Sequence, residues 1–245
     1  MTPAFSRRPA TLLHFSAVTD AVDAVLDLIH EARAHQSGAC TSFLGVVILV
    51  DGRSGSGKTD FSNALAEALT ERWLSPVTLV HLDDIYPGWS GLEAASQHVH
   101  DSLLSPFASA ETPDEDSATA TAGAASAGAA IGAASATPPA GHPAGPGWRR
   151  HDWATGLAAD WVTVDPSVPL IIEGTGSLSR QNASLATLTV WLELGDETRR
   201  ERALARDGET YEPYWDMWAE QENEFVAREN PRSLADVVVD LTPSP

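Results

Sequence analysis

Lysine is nearly missing from this chain. Of its 15 basic residues other than histidine, only Lys58 is lysine and the rest are arginine. Cysteine is as scarce. Cys40 stands alone, which rules out an intrachain disulfide framework and makes a reducing cytoplasm the expected compartment. Positive charge is short as well, with 34 acidic residues giving a formal net charge of −19. A chain this acidic lacks the basic footprint needed to grip nucleic acid or an anionic membrane surface. Long apolar runs are absent. The longest, "FLGVVILV" at 43–50, is too short to span a bilayer. "MTPAFSRRPATLLHF" carries two arginines but no apolar stretch of signal-peptide length. The eight histidines show no metal-ligand spacing. These absences predict a soluble cytoplasmic protein, with its oligomeric state open.

What is present is an alternation of apolar segments. Residues 19–35 place Val22, Val25, Leu26, Ile29 and Ala32 on one helical stripe. Residues 44–50 form a continuous apolar run that predicts a strand buried on both faces. A helix is predicted over 58–72, with Phe61, Leu65 and Leu69 at fourth-residue spacing. "VTLVHL" at 77–82, "PLIIEG" at 169–174, "TLTVWLEL" at 187–194 and "ADVVVD" at 235–240 predict four more strands, and helices are expected over about 197–207 and 213–229. Strands alternating with helices predict a parallel α/β sheet of five strands in one domain. Residues 108–147 break the pattern. They are almost all Ala, Gly, Ser, Thr, Pro and acid, with nothing large to bury, and predict a disordered insertion.

The lone lysine sits in Gly52-Arg53-Ser54-Gly55-Ser56-Gly57-Lys58-Thr59, which matches G-x-x-x-x-G-K-[ST]. Glycines let the backbone turn and approach phosphate closely, so successive N–H groups form an anion nest. The helix that follows directs its free N–H groups at the same charge. Lys58 is a compact point charge suited to the β- and γ-phosphates of ATP, and the Thr59 hydroxyl is a Mg²⁺ ligand by chemistry. Arginine's broad planar fork does not substitute there. A chain that prefers arginine everywhere else keeps lysine where phosphate chemistry asks for it.

Two acidic signals follow. "HLDDIYPGW" at 81–89 ends a strand in Asp83 and Asp84, at the carboxyl edge where open α/β sheets bind ligands. One of the pair can accept a proton from a substrate hydroxyl or help hold Mg²⁺; the bland reading is two solvated loop acids. "LIIEGTGSL" at 170–178 ends another strand in Glu173, which can reach the magnesium shell or simply cap the turn. No N-K-x-D guanine motif is possible with one lysine, which argues against a typical GTPase.

This succession of P-loop, "DDIY", "EG" and the helix "RRERALARDG" resembles the uridine kinase-like and phosphoribulokinase-like group of P-loop kinases. The resemblance runs through most of 44–241 outside the insertion. It implies a five-stranded sheet in the order 2-3-1-4-5 and transfer of the ATP γ-phosphate to a hydroxyl of a nucleoside-like metabolite, with Mg²⁺. It assigns Asp83 as base near the metal, Tyr86 to the acceptor pocket and Glu173 to the Mg²⁺ environment. Arg202 and Arg206 become phosphate clamps on a lid helix. Asp152, in "WRRHDW", falls where uridine kinases have an acid that grips the ribose. The chain departs from that group in "PGWSGL" after Tyr86, and in the aromatic run that includes Trp215, Trp218 and Phe225. Two alternatives remain: an ATP-binding protein without catalysis, and a nucleoside monophosphate kinase using Arg149 and Arg150.

Overall fold

A strand that is apolar at every position can serve two cores at once. Val47 and Leu49 face one core, and Ile48 and Val50 face the other. The computed structural model describes residues 11–15, 17–36, 45–73, 76–110 and 145–242. In chain order its first elements are β1 (Thr11–His14), α1 (Val18–Gln36), β2 (Val47–Gly52), α2 (Lys58–Trp73) and β3 (Thr78–His81). Next come α3 (Leu92–His98), which runs through a π-helical turn into α4 (Ser105–Ala110), then β4 (Gly147–Asp152) and β5 (Leu157–Thr163). The last third holds β6 (Leu170–Glu173), α5 (Arg180–Ala183), β7 (Leu188–Glu193), α6 (Asp196–Tyr211), α7 (Trp215–Glu229), α8 (Pro231–Leu234) and β8 (Val237–Asp240).

The main sheet is six-stranded and parallel, in the order β1-β8-β7-β2-β6-β3. The five expected strands take the expected relative order, and the prediction of five is corrected by β1, which adds itself outside β8. Its "TLLH" pairs Thr11–His14 with Val237–Asp240 but leaves Leu12 exposed. Four half-exposed residues give no apolar period to detect. The second miss is a separate antiparallel pair, β4 with β5, irregular between Arg149 and His151. β4 buries Gly147 and Trp148 while β5 buries nothing fully, and the sequence mixes charge with aromatics, so it does not alternate cleanly.

The helices cover both faces of the sheet. α1 and α2 pack on the side of Ile48, Val50, Ile171 and Val190, through Val25, Ile29, Phe61 and Leu65. α3 and α7 pack on the other side with Leu49, Ile172 and Trp191, through Ala95, Trp218 and Phe225. Each large aliphatic buried this way contributes roughly 1.5–3 kcal/mol before the entropy of ordering it. The expected insertion at 108–147 falls mostly on 111–144, outside the described residues; 108–110 belong to α4 and Gly147 opens β4. No helix among the described residues is long and apolar enough to cross a membrane.

Candidate active site

The loop from Gly52 to Thr59 joins the central strand β2 to α2, at the carboxyl edge of the sheet. Gly55 and Gly57 adopt φ of +79° and +91°, the left-handed region that glycine enters freely. Gly55 is also required by space, because a Cβ there would lie 2.0 Å from the carbonyl oxygen of Arg199. α2 begins at Lys58, so its first free N–H groups point at the loop. Behind the loop, the carboxylate of Asp51 is wholly buried and accepts the N–H groups of Gly52 (2.6 Å), Gly176 (3.2 Å) and Leu178 (2.8 Å). Burial pushes this carboxyl up to about 7, against the pull of those donors and of Lys58. Asp51 thus ties the root of the loop to the turn after β6.

Two strand ends, those of β3 and β6, meet the first turn of α2 in front of the loop. Thr59 Oγ1 donates to Glu173 Oε1 at 3.1 Å, and His81 Nδ1 lies 2.6 Å from the same oxygen. That hydrogen bond raises the His81 pKa. The other oxygen of Glu173, Oε2, is buried and has no hydrogen-bond partner among the described residues. An orphaned buried carboxylate oxygen beside a threonine hydroxyl is a hard-oxygen donor set, and it fits Mg²⁺. Among the described residues no group of three or more His, Cys, Asp or Glu side chains could hold a metal unaided. Magnesium here would therefore rely on phosphate oxygens and water as well, as it commonly does.

Lys58, Thr59, Asp83, Tyr86 and Arg206 line one cleft of about 440 Å³. Asp83 sits in a 3₁₀ turn, Leu82–Asp84, directly after β3. Its side chain opens to the cleft, yet its carboxyl is deep enough that loss of solvent raises its pKa, opposed by Lys58 and Arg206. Asp84 lies outside the cleft lining and approaches Arg150 at 3.9 Å. Arg206 forks onto Asp207, with contacts of 2.9 and 2.7 Å. Arg202 reaches to within 3.9 Å of the Cβ position of Gly57. One turn before the end of α6 the helical course breaks at Gly208 (φ 52°, ψ −136°), just past the expected helix end.

Much of the cleft lining is aromatic: Tyr86, Trp89, Trp153, Tyr211 and Trp218. The Tyr86 hydroxyl donates to the Thr175 carbonyl at 2.8 Å, and its ring meets Trp218 edge-on at 4.8 Å. Trp89 stacks on Tyr214 at 4.5 Å and on Tyr211 at 5.4 Å, and leans on Trp153 at 4.9 Å. Trp153 donates its indole N–H to the Asp83 carbonyl at 2.7 Å. Asp152 stays out of the cleft. Its carboxylate accepts from Ala154 N (2.9 Å) and Thr155 Oγ1 (2.8 Å), building the hairpin turn that presents Trp153. Trp89 and Trp153 were the residues the sequence left unassigned. Each flanks a motif that was read for its acids, and a tryptophan beside a strand-end carboxylate was the available signal. Arg149 donates to the Ala159 carbonyl at 2.9 Å, and neither it nor Arg150 lines the cleft.

Loop and strand order together define a parallel α/β fold with a P-loop at the carboxyl edge of its central strand. Among solved structures, the chain is similar to a possible uridine kinase from Bacillus stearothermophilus, 18% identical, over 89% of this chain and 100% of that one, with a TM-score of 0.50. It is also similar to a candidate fructose transport system kinase from Silicibacter sp. TM1040, 17% identical, over 91% and 98% of the two chains, with a TM-score of 0.44. No protein-family model and no curated protein sequence matches the chain. The first likeness shows the fold alone: this chain shares the overall α/β architecture of that structure.

Proposed function

We propose that the chain is an ATP-dependent kinase that transfers the γ-phosphate to a hydroxyl of a small, nucleoside-like metabolite. The carrying observation is that Asp83 shares one cleft with Lys58 and Thr59, and that Tyr86, Trp89, Trp153 and Trp218 line the same cleft. In this reading Lys58 and the N–H groups of residues 55–59 hold the β- and γ-phosphates. Thr59 and Glu173, with Asp83 beside them, hold Mg²⁺, which when bound neutralises phosphate charge. Asp83 takes the proton from the acceptor hydroxyl as its oxygen bonds to the γ-phosphorus and the bond to the bridging oxygen of ADP breaks. Arg202 and Arg206 neutralise charge that develops on the transferred group. Tyr86 and the indoles of Trp89, Trp153 and Trp218 seat the acceptor by its flat or apolar part.

The test is ADP release with Mg²⁺ across a panel of nucleosides, nucleoside monophosphates and sugar-like alcohols. ADP should accumulate only when an alcohol acceptor is present, and Lys58→Ala should abolish it while the variant remains folded. ADP formation by no member of the panel, with ATP still bound, would leave a non-catalytic ATP-binding protein. A response confined to monophosphates would make it a nucleoside monophosphate kinase.

A further inference from the structure

The outer limb of the P-loop is held from outside the loop. Ser54 has three polar groups, and each is engaged by a different side chain. Its N–H donates to Glu222 Oε1 at 2.8 Å. Its carbonyl accepts from Arg199 Nη1 at 2.9 Å, and its hydroxyl accepts from Trp218 Nε1 at 3.0 Å. Arg53 is held by α7 too, with Nε donating to Glu222 Oε2 at 3.0 Å and Nη2 to Asn223 Oδ1 at 2.7 Å. Glu222 therefore spends one oxygen on Ser54 and the other on Arg53, and it is 1% exposed.

A buried carboxylate is a costly way to fill that space. An apolar side chain of similar volume would pack α7 against the loop with no desolvation penalty. A negative charge close to a phosphate site also opposes nucleotide binding, unless a cation such as Arg53 compensates it. What the carboxylate supplies is a fixed geometry for a segment that is otherwise loose. The limb precedes two glycines at positive φ, and a glycine-rich loop loses much freedom when it orders around a ligand. Fixing the limb in advance removes part of that cost from binding.

We propose that Glu222 is a positioning residue for the nucleotide: through Ser54 and Arg53 it sets the outer limb of the P-loop before ATP arrives. This rests on the reading of the loop as the ATP site, and the test separates the two. Binding of ADP with Mg²⁺ is measured by calorimetry on the wild type, Glu222→Gln, Arg53→Gln and Lys58→Ala, beside thermal unfolding and steady-state kinetics in ATP. Glu222→Gln keeps the size and one acceptor but loses the charge. It should weaken ADP about tenfold and raise the KM for ATP by a similar factor, because charge-assisted hydrogen bonds are lost from a buried site. Its kcat should change little, since a pre-set loop serves ground state and transition state alike. Arg53→Gln, with its side chain partly in solvent, should also weaken ADP, and the double variant should lose less than the two singles combined. ADP binding by both single variants within about twofold of wild type overturns the inference, as does a loss confined to kcat. If Glu222→Gln unfolds, Arg53→Gln alone decides by the same criterion. A wild type that binds no ADP, indistinguishable from Lys58→Ala, overturns the P-loop reading and this inference with it.

Discussion

Asp83→Asn sets the assignment of the base against its own neighbour. Asp83 and Asp84 leave β3 in the same 3₁₀ turn, but only Asp83 lines the cleft with Lys58 and Arg206. Asparagine keeps the size and the acceptor oxygen, but it cannot take a proton and is a poorer Mg²⁺ ligand. Loss of a general base typically costs 10²–10⁴-fold, so kcat should fall by about that factor while ADP affinity changes little. Asp84 pairs at 3.9 Å with Arg150 and both side chains are about half in solvent, so Asp84→Asn removes at most about 1 kcal/mol, or roughly fivefold. The Trp153 bond to the Asp83 carbonyl pins the backbone there, which keeps the two acids from exchanging places. The assay is ADP release with the best acceptor of the panel, as a function of pH. Burial raises the pKa of Asp83 from its ordinary value in the free protein, so kcat/KM for ATP should fall as pH drops through that raised value. That acidic limb should be missing from the residual activity of Asp83→Asn. Equal losses at the two positions, or a larger one at Asp84, would refute the assignment.

Two further outcomes concern stability. Gly55→Ala should lower the unfolding free energy by several kcal/mol in denaturant titration, because it adds left-handed strain to a Cβ placed 2.0 Å from the Arg199 carbonyl oxygen. Gly88→Ala, at φ +96° with nothing within 4 Å, should show the strain alone at about 1–2 kcal/mol, and equal losses would refute the clash. Asp51 should make the protein less stable as pH rises. Its pKa goes from 3.8 unfolded to about 7 folded, so its contribution is fully present below 3.8 and lost as pH passes 7. The loss is on the order of 4 kcal/mol. Urea titrations between pH 4 and 8 should show this slope, and Asp51→Asn should flatten it whatever its absolute cost.

The sequence made the sheet legible wherever a strand is buried on both faces. β2, β6, β7 and β8 are nearly continuous apolar runs, too short for helices and too apolar for surface loops. β1, β4 and β5 were hidden because half-exposed strands carry mixed residues, and their pairing is decided by distant backbone. The phosphate end of the site was legible for a different reason. A G-x-x-x-x-G-K-[ST] loop constrains its own geometry within eight residues, so it can be read locally. The aromatic part of the cleft depends on side chains from 86 to 218 converging across the fold, and no spacing rule relates Trp89 to Tyr214. Asp152 shows the limit most directly. The resemblance gives it a ribose to grip, while the structure puts its carboxylate in the hairpin turn and outside the cleft lining, a placement that no local pattern of residues reveals.

The solitary lysine has a practical consequence for labelling. Lys58 lines the cleft at the start of α2 and carries the chain's one side-chain amine. Amine-directed chemistry on this protein, whether acetylation, an activated ester or coupling to a resin, therefore has a single side-chain target, and it is the residue that would grip phosphate. Random amine immobilisation would silence the site. Conversely, the extent of amine modification, corrected for the chain's own α-amino group, would read nucleotide occupancy directly, with no lysine elsewhere to blur the signal.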